Sequence, residues 1–385
     1  MNIGFDGKRA AQNRTGLGNY SRFIIRILSE HAAEDSYHLY IPNPEKTPYL
    51  KEIPTIGSLH LHFPQGIWKK MKGAWRSWGV KSCLQRDHID VYYGLSNELP
   101  FNIRQAGCLS VVTIHDLIFL RYPECYDWVS RKIYNYKFRK ACQMADRIIA
   151  VSKFTKNDIV SFYHIPADKI DVVYQGCDRA FAENISKDKL EHVASKYGLP
   201  DNYVLYVGSI EERKNIRLAI DALKRCNDEG HPFHLVMVGK STKYCQRQKA
   251  YIKTLGIEPY CHFFHNVPFD DLPSMYRMAS AFVYPSRIEG FGIPMLEAIT
   301  SGVPAIGCTG SCLEEAGGPG SIYVDPDDAE AMANAIARVL GDSDLRQRMV
   351  SDGKEYASRF SDEQLCKDFT DVVKKHSFSV YEKNK

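Results

Sequence analysis

The chain opens an α/β unit twice. Near its start, a short apolar run from residue 2 to 6 leads into a loop carrying Gly16 and Gly18, and then into the helical pattern Tyr20, Phe23, Ile24, Ile27, Leu28. Midway, the run YVLYV (Tyr203–Val207) stops at Gly208, and another loop precedes a helical run over residues 216–226. Apolar runs too short for helices, alternating with segments of helical period, are what a parallel sheet covered on both faces requires. Further runs of that kind fall at residues 37–41, 91–93, 109–114 and 147–151, and then at 234–238, 261–264, 281–284, 303–306 and 321–324. Two doubly wound α/β domains are therefore expected, over residues 1–180 and 181–360, joined through the polar, weakly patterned stretch 176–200. The tail, 361–385, is expected as an amphipathic helix returning to the first domain, with Phe360, Leu365, Phe369, Val372 and Val373 on one side.

Composition narrows the class. At 385 residues, 44% hydrophobic and 25% charged, the chain has ordinary globular values rather than disordered or fibrous ones. Its eleven cysteines are an odd number without any CxxC pair, which reads as reduced thiols and no metal site. No apolar leader opens the sequence and no run of about 18 apolar residues follows, so a cytoplasmic protein is expected. Charge is divided unevenly: residues 1–175 hold 24 Lys+Arg against 16 Asp+Glu, whereas the rest hold 26 against 30.

Four passages carry candidate chemistry. PSRIEGFGIPMLEAITSGVP (285–304) places Glu289 and Glu297 eight residues apart, with Gly290 and Gly292 before a helix expected over 295–300. Glycines after a strand admit an anion to a helix N-terminus, and carboxylates there accept hydrogen bonds from hydroxyls. Phosphate plus polyol means a nucleotide sugar; a solvated Glu before a helix is the plain alternative. Arg213 and Lys214, after the YVLYVGS strand, suit a diphosphate at the carboxyl end of a parallel sheet, or are simple surface charges. The loop with Gly16 and Gly18 is not GxGxxG and lacks the acidic residue of a dinucleotide site, so it reads as a phosphate approach or a turn. His115-Asp116 follows a strand and reads as a ligand contact or a packed pair.

Taken in order, these passages resemble the retaining glycosyltransferases of glycosyltransferase family 4. The resemblance adds ADRIIAVSKFTKNDI (145–159), KIDVVYQGCD (169–178) and YVGSIEERKN (206–215) to the motifs above, and Glu289 with Glu297 is that family's E-x7-E signature. It implies a GT-B fold, two Rossmann-like domains facing each other across a cleft, and an enzyme that keeps the donor's anomeric configuration without a cofactor or metal ion. It also implies roles. Arg213 and Lys214 would neutralise the departing diphosphate, helped by backbone N–H groups at Gly16, Gly18, Phe291, Gly292 and Ile293. Glu289 would bind the transferred sugar, Glu297 the ribose, and His115 the donor sugar from the other domain, while Gly208, Gly239, Lys240, Asn266 and Val267 would line the base and phosphate side. Ser152 and Thr155 read as helix caps. The N-terminal pattern is more similar to members using GDP-mannose than to those using a UDP-hexose. A hexosyl group would pass to a glycan or lipid-linked acceptor in cell-surface polysaccharide synthesis. A nucleotide-sugar epimerase of the same plan, or an inactive sugar-nucleotide-binding subunit, are the alternatives.

The excess of positive charge is concentrated. Residues 64–86 hold Lys69, Lys70, Lys72, Arg76, Lys81 and Arg86 with no acid, interleaved with Trp68, Trp75 and Trp78, and residues 131–140 add five more basic side chains. Cations mixed with indoles suit an anionic membrane face, here the inner face of the cytoplasmic membrane. No nucleic-acid motif accompanies them, so nucleic acid is not expected, and buried tryptophans are the rival reading.

Overall fold

The computed structural model describes residues 1–53 and 58–383, leaving residues 384–385 of the expected tail helix outside. It divides into two compact units, Met1–Gly176 with Phe360–Lys385, and Cys177–Arg359.

The first unit holds seven parallel strands, β1 (Asn2–Asp6), β2 (Ser36–Tyr40), β3 (Ser58–His62), β4 (Val91–Gly94), β5 (Leu109–Ile114), β6 (Arg147–Ala150) and β7 (Ile170–Val172), in the order β3-β2-β1-β4-β5-β6-β7. All six residues of β5 are buried, because helices cover both faces of a central parallel strand. β3 and β7 are edge strands that the sequence pattern does not announce. β3 reads SLHLH and is half-exposed, and β7 is three residues long.

The second unit holds β8 (Tyr203–Val207), β9 (His234–Val238), β10 (Cys261–Phe264), β11 (Ala281–Tyr284), β12 (Ala305–Cys308) and β13 (Ile322–Val324), all parallel, in the order β10-β9-β8-β11-β12-β13. β12 starts two residues later than its apolar run, after Pro304, whose ring nitrogen cannot donate to a ladder although its carbonyl accepts from Phe282 at 2.8 Å. Both sheets reverse their strand order beside their first strand, between β1 and β4 and between β8 and β11.

The tail forms the helix Asp362–Lys383. Phe360, Leu365, Phe369, Val372 and Val373 are all buried, Phe369 lies against Tyr93 with ring centroids 4.5 Å apart, and Asp362 pairs with Arg26 at 2.8 Å.

The two N-terminal glycines have different surroundings: Gly16 opens the helix Gly16–His31, and Gly18 lies in its first turn. Gly18 donates its N–H to the Thr15 carbonyl at 2.9 Å, so that N–H is not available to a phosphate. Its Cβ position would fall 1.8 Å from the Asn13 carbonyl oxygen, whereas a Cβ on Gly16 meets nothing within 4 Å. Arg22 pins the same turn from below, donating to the carbonyls of Ala10 and Asn13 at 2.9 and 2.8 Å. Gly18 is thus required by backbone contact. Gly18→Ala is expected to cost about 1–3 kcal/mol in urea unfolding, the scale of overpacking, while Gly16→Ala stays within about 0.5 kcal/mol of the parent. Equal midpoints for the two variants would contradict this account.

Candidate active site

The carboxyl edge of the second sheet gathers the candidate residues. β8 ends at Gly208, and its loop carries Arg213 and Lys214 in a short 3-10 turn closed by Asn215, which adopts the left-handed region at φ 53° and donates its side-chain amide to the Pro326 carbonyl at 2.8 Å. β11, the neighbour of β8, runs out into Ser286 and Glu289. Strand order therefore delivers two cations and a carboxylate from segments some 75 residues apart to one point.

Glu289 is buried, with only 9% of its surface exposed. Its Oε1 accepts from Lys214 Nζ and from Ser286 Oγ, the latter at 2.7 Å, and Arg213 reaches Oε2 at 3.4 Å. Lys214 Nζ also donates to the Tyr284 hydroxyl at 2.5 Å. Burial pushes the Glu289 pKa up, but Lys214 and Arg213 outweigh it and hold the carboxyl below the ordinary Glu value. Cys312 Sγ–H donates to the Glu289 carbonyl at 3.0 Å, fixing the loop's backbone.

Next comes the helix Ile293–Thr300, two residues longer at its start than the sequence pattern implies, with Pro294 in its first turn where no N–H is missed. It is capped by Gly292 at φ 104°, and a Cβ there would meet Leu313 at 2.7 Å, so only glycine fits. Glu297, on the same helix, accepts from the Tyr276 hydroxyl at 2.8 Å, and burial pushes its pKa up to about 7.

Other expected residues share this edge. Gly208 and Gly239 follow β8 and β9, and a Cβ on Gly239 would fall 1.8 Å from the Gly208 oxygen. Their N–H groups are spent on ladder bonds to Val238 and Phe264 carbonyls, at 2.9 and 3.0 Å. Lys240 and Asn266 are exposed, Asn266 in the left-handed region, and Val267 is half-buried. Ser286, Tyr284, Tyr276 and Cys312 belong to the cluster although the sequence reading passed over them; Ser286 lies inside the PSRIEGFG motif, but nothing in its local pattern distinguishes it from a turn serine.

His115 sits at the end of β5 in the first unit. Its Nε2 lies 2.9 Å from the Leu95 carbonyl, which requires the Nε2–H tautomer, and Nδ1 then faces Gln175 Nε2 at 3.4 Å. Tyr20 packs edge-on at 4.6 Å. Burial pushes its pKa down to about 4, so it is a neutral ring at physiological pH. Ser152 caps the next helix by accepting from Thr155 N–H at 3.0 Å, and Thr155 donates to the His115 carbonyl at 3.3 Å.

Glu297 supplies a pH test. A folded carboxyl titrating near 7 and an unfolded one near 4.5 mean that the folded state holds the extra proton between those values, so this contribution to stability is full below about 4.5 and lost as pH rises through 7. Glu297→Gln is expected to melt at a higher temperature than the parent at pH 8, gaining up to about 3 kcal/mol, and to match it at pH 4.5. A variant with the parent's pH slope would refute the buried-carboxyl assignment.

Comparison with known proteins follows the same division. The pattern described as "Glycosyltransferase Family 4" matches residues 21–181, and that described as "Glycosyl transferases group 1" matches residues 188–356. The O-antigen chain mannosyltransferase B of Escherichia coli is 30% identical over 279 residues, 72% of this chain and 72% of that protein. The O-antigen chain mannosyltransferase RfbU of Salmonella typhimurium is 28% identical over 228 residues, 59% of this chain and 60% of that protein. Among solved structures, Anabaena Alr3699/HepE in complex with UDP and glucose superposes with a TM-score of 0.76 at 18% identity, covering 97% of this chain and 100% of that one. With two Rossmann-like units of GT-B type and these matches, the chain belongs to glycosyltransferase family 4 and is a hexosyltransferase.

Proposed function

We propose that the protein moves a hexosyl group, of mannose or glucose type, from a nucleoside-diphosphate sugar to a glycan or lipid-linked acceptor in cell-surface polysaccharide synthesis, with retained configuration. GDP-mannose is the favoured donor and a UDP-hexose the next. The observation that carries the reading is the buried Glu289 carboxylate shared by Lys214, Ser286 and Arg213 beside a glycine-opened helix N-terminus. Two of the relatives in sequence are O-antigen chain mannosyltransferases, which supports mannose; the likeness to the UDP complex, at 18% identity, speaks to fold alone.

The geometry divides the labour. Lys214 is anchored by Glu289 and Tyr284 and serves as a fixed charge, and Arg213, 3.4 Å from Glu289, 3.6 Å from Glu211 and bonded to the Ile288 carbonyl at 3.3 Å, would place its guanidinium beside the diphosphate. Glu289, with one oxygen saturated, keeps the other to accept a sugar hydroxyl. Glu297 would accept from ribose hydroxyls, Gly290 to Ile293 would admit the phosphates at the positive end of the helix, and His115 would contribute its neutral ring to sugar binding. In the transfer the bond from the anomeric carbon to the diphosphate breaks, the acceptor oxygen bonds that carbon on the same face, and the acceptor's proton passes to a phosphate oxygen. Charge grows on the leaving group, so the cations act mainly on the transition state.

The acceptor side would use the basic first unit. The helix Trp128–Met144 turns Trp128, Val129, Lys132, Ile133, Tyr136 and Lys140 outward on one face. Trp78 is 51% exposed and joins this face through Phe101, with ring centroids 5.2 Å and 6.1 Å apart in the chain Trp78–Phe101–Tyr136. Ile67, Met71, Lys69 and Lys70 are exposed nearby in sequence. Not all of the stretch faces out: Trp75 is buried, Trp68 half-buried, and Arg76 is held by Asp6 and Glu98. Among the described residues no helix is long and apolar enough to cross a membrane, so the proposal is a peripheral contact with anionic lipid.

Two experiments test these readings. Radiolabelled sugar from GDP-mannose should appear in a glycan or lipid-linked product, and Arg213→Ala or Lys214→Ala should lower kcat about 100-fold or more, the scale of one lost transition-state donor. Near-parental turnover by both variants would remove the assignment. Co-sedimentation with phosphatidylglycerol vesicles at 50 mM salt should fall about tenfold or more in a Trp78→Ala, Trp128→Ala double variant and on addition of salt. Binding indifferent to both changes would exclude the aromatic face.

A further inference from the structure

The edge of the first sheet carries a histidine cluster that the proposed sugar transfer does not use. β2 and β3 pair in register, His38 opposite His60 and Tyr40 opposite His62, so all of these side chains stand on one face. His38 Nδ1 and His62 Nε2 lie 2.9 Å apart, their rings nearly parallel with centroids 5.1 Å apart, and the His60 ring is 4.8 Å from that of His38. Both histidines are oriented from behind. Asp87, at the end of the helix Val80–Arg86, faces His62 Nδ1 at 3.3 Å and is itself held by the Tyr40 hydroxyl at 2.9 Å, while Ser36 Oγ lies 3.2 Å from His38 Nε2. Ligand atoms of His38, His62 and Asp87 all fall within 4.8 Å of one another.

We propose that His38 Nδ1 and His62 Nε2 bind a divalent transition-metal ion of the zinc type, with Asp87 and Ser36 as the groups that orient the two rings. An imidazole bound to metal through one nitrogen usually turns its other nitrogen to a carboxylate, and His62 Nδ1, 3.3 Å from Asp87 and 3.5 Å from the Arg86 guanidinium that Asp87 holds, is placed for that contact. Two nitrogens 2.9 Å apart need only a few tenths of an ångström to reach the separation of two bonds of about 2.0–2.1 Å at a tetrahedral ion. No proton need leave the protein: the one between the two facing nitrogens moves to the other nitrogen of its own ring, where Ser36 Oγ faces His38 and Asp87 faces His62. Arg86 is bonded to Asp87 at 2.7 and 3.0 Å, which holds the carboxylate in the orienting position rather than on the ion. His60, exposed on the same face, stays outside this group of ligand atoms, and water would complete the set.

The second sheet supplies an internal contrast. His234 Nδ1 and His262 Nε2, on β9 and β10, are 3.0 Å apart, yet no carboxylate, cysteine or third histidine joins them in a ligand cluster among the described residues. A cation there has nothing to orient its ligands. At β2 and β3 the ion would fasten the half-exposed edge strand β3 to its neighbour. The sequence pattern His60-Leu61-His62, two imidazoles on one face of a strand, is its visible trace.

The test is a Zn2+ titration of the full chain by calorimetry, with Co2+ as spectroscopic probe. Expected is one site of micromolar or better affinity, a melting temperature raised by a few degrees at saturating Zn2+, and Co2+ bands of nitrogen and oxygen ligation without thiolate charge transfer. His38→Gln or His62→Gln should each weaken binding at least tenfold, Asp87→Asn should weaken it about 10–100-fold, and a His234→Gln, His262→Gln double variant should bind as the parent does. Parental affinity in the His38→Gln and His62→Gln variants, loss confined to the His234/His262 variant, or a thiolate band would each overturn the proposal. Circular dichroism of the metal-free variants, required to match the parent, separates lost ligation from lost folding.

Discussion

A carboxylate withdrawn from water is tolerated only where fixed cations and donors replace its hydration, and the pairing of Glu289 with Lys214 meets that condition. Removing one member of such a pair strands the other, so the loop after β8 and the loop after β11 depend on each other. Their adjacency is a property of the sheet: β8 pairs directly with β11, and the order of strands reverses there. An open α/β sheet leaves a crevice at that point, outside the carboxyl ends of its strands. Charge, glycine and helix N-terminus are concentrated where the topology leaves room for a ligand.

The two units answer the same topological opportunity differently. In the first, β1 and β4 flank the reversal, and the end of β1 and the loop beyond β4 bring Asp6 and Glu98 around Arg76, with Lys137 added at 3.3 Å from Glu98. Arg76 comes from the basic stretch, but it is an internal counter-ion rather than part of a surface field. The cavity among these side chains is about 10 Å³, room for a single water at most. The protein's own guanidinium fills the crevice there, and the remaining basic and aromatic side chains of the stretch are left to the outer face.

Legibility in the sequence follows from how many constraints each feature satisfies locally. Central strands such as β5 and β8 are apolar on both faces and stand out as runs, while β3, half-exposed, alternates Leu with His and Ser and carries no comparable signal. Glu289, Glu297, Arg213 and Lys214 were visible because the ordered motifs around them are shared with a family. Tyr284, Tyr276 and Cys312 were not, since each acts on a residue that only the fold brings near, and Ser286, three residues from Glu289, has the local pattern of any turn serine. Gly18 is not legible for a related reason: a glycine needed for approach to a ligand and one needed for approach to the Asn13 carbonyl look alike in sequence.

The contrast between Glu289 and Glu297 shows how environment assigns chemistry to two carboxyls of one motif. Seven residues stand between them, Glu289 buried in the loop after β11 and Glu297 half-buried on the helix that follows. Glu289 meets two cations and is held below its ordinary value; Glu297 meets a tyrosine hydroxyl, and burial, with the Asp178 charge added, lifts it to about 7. A carboxylate already paired changes little when a neutral hydroxyl arrives, so Glu289 can grip a sugar without a change of proton count. Glu297 must ionise to accept from two hydroxyls at once, and it does so most readily above its own pKa. Nucleotide affinity that rises from pH 6 to pH 8, with release of a proton, is therefore the behaviour this arrangement imposes if Glu297 faces the ribose.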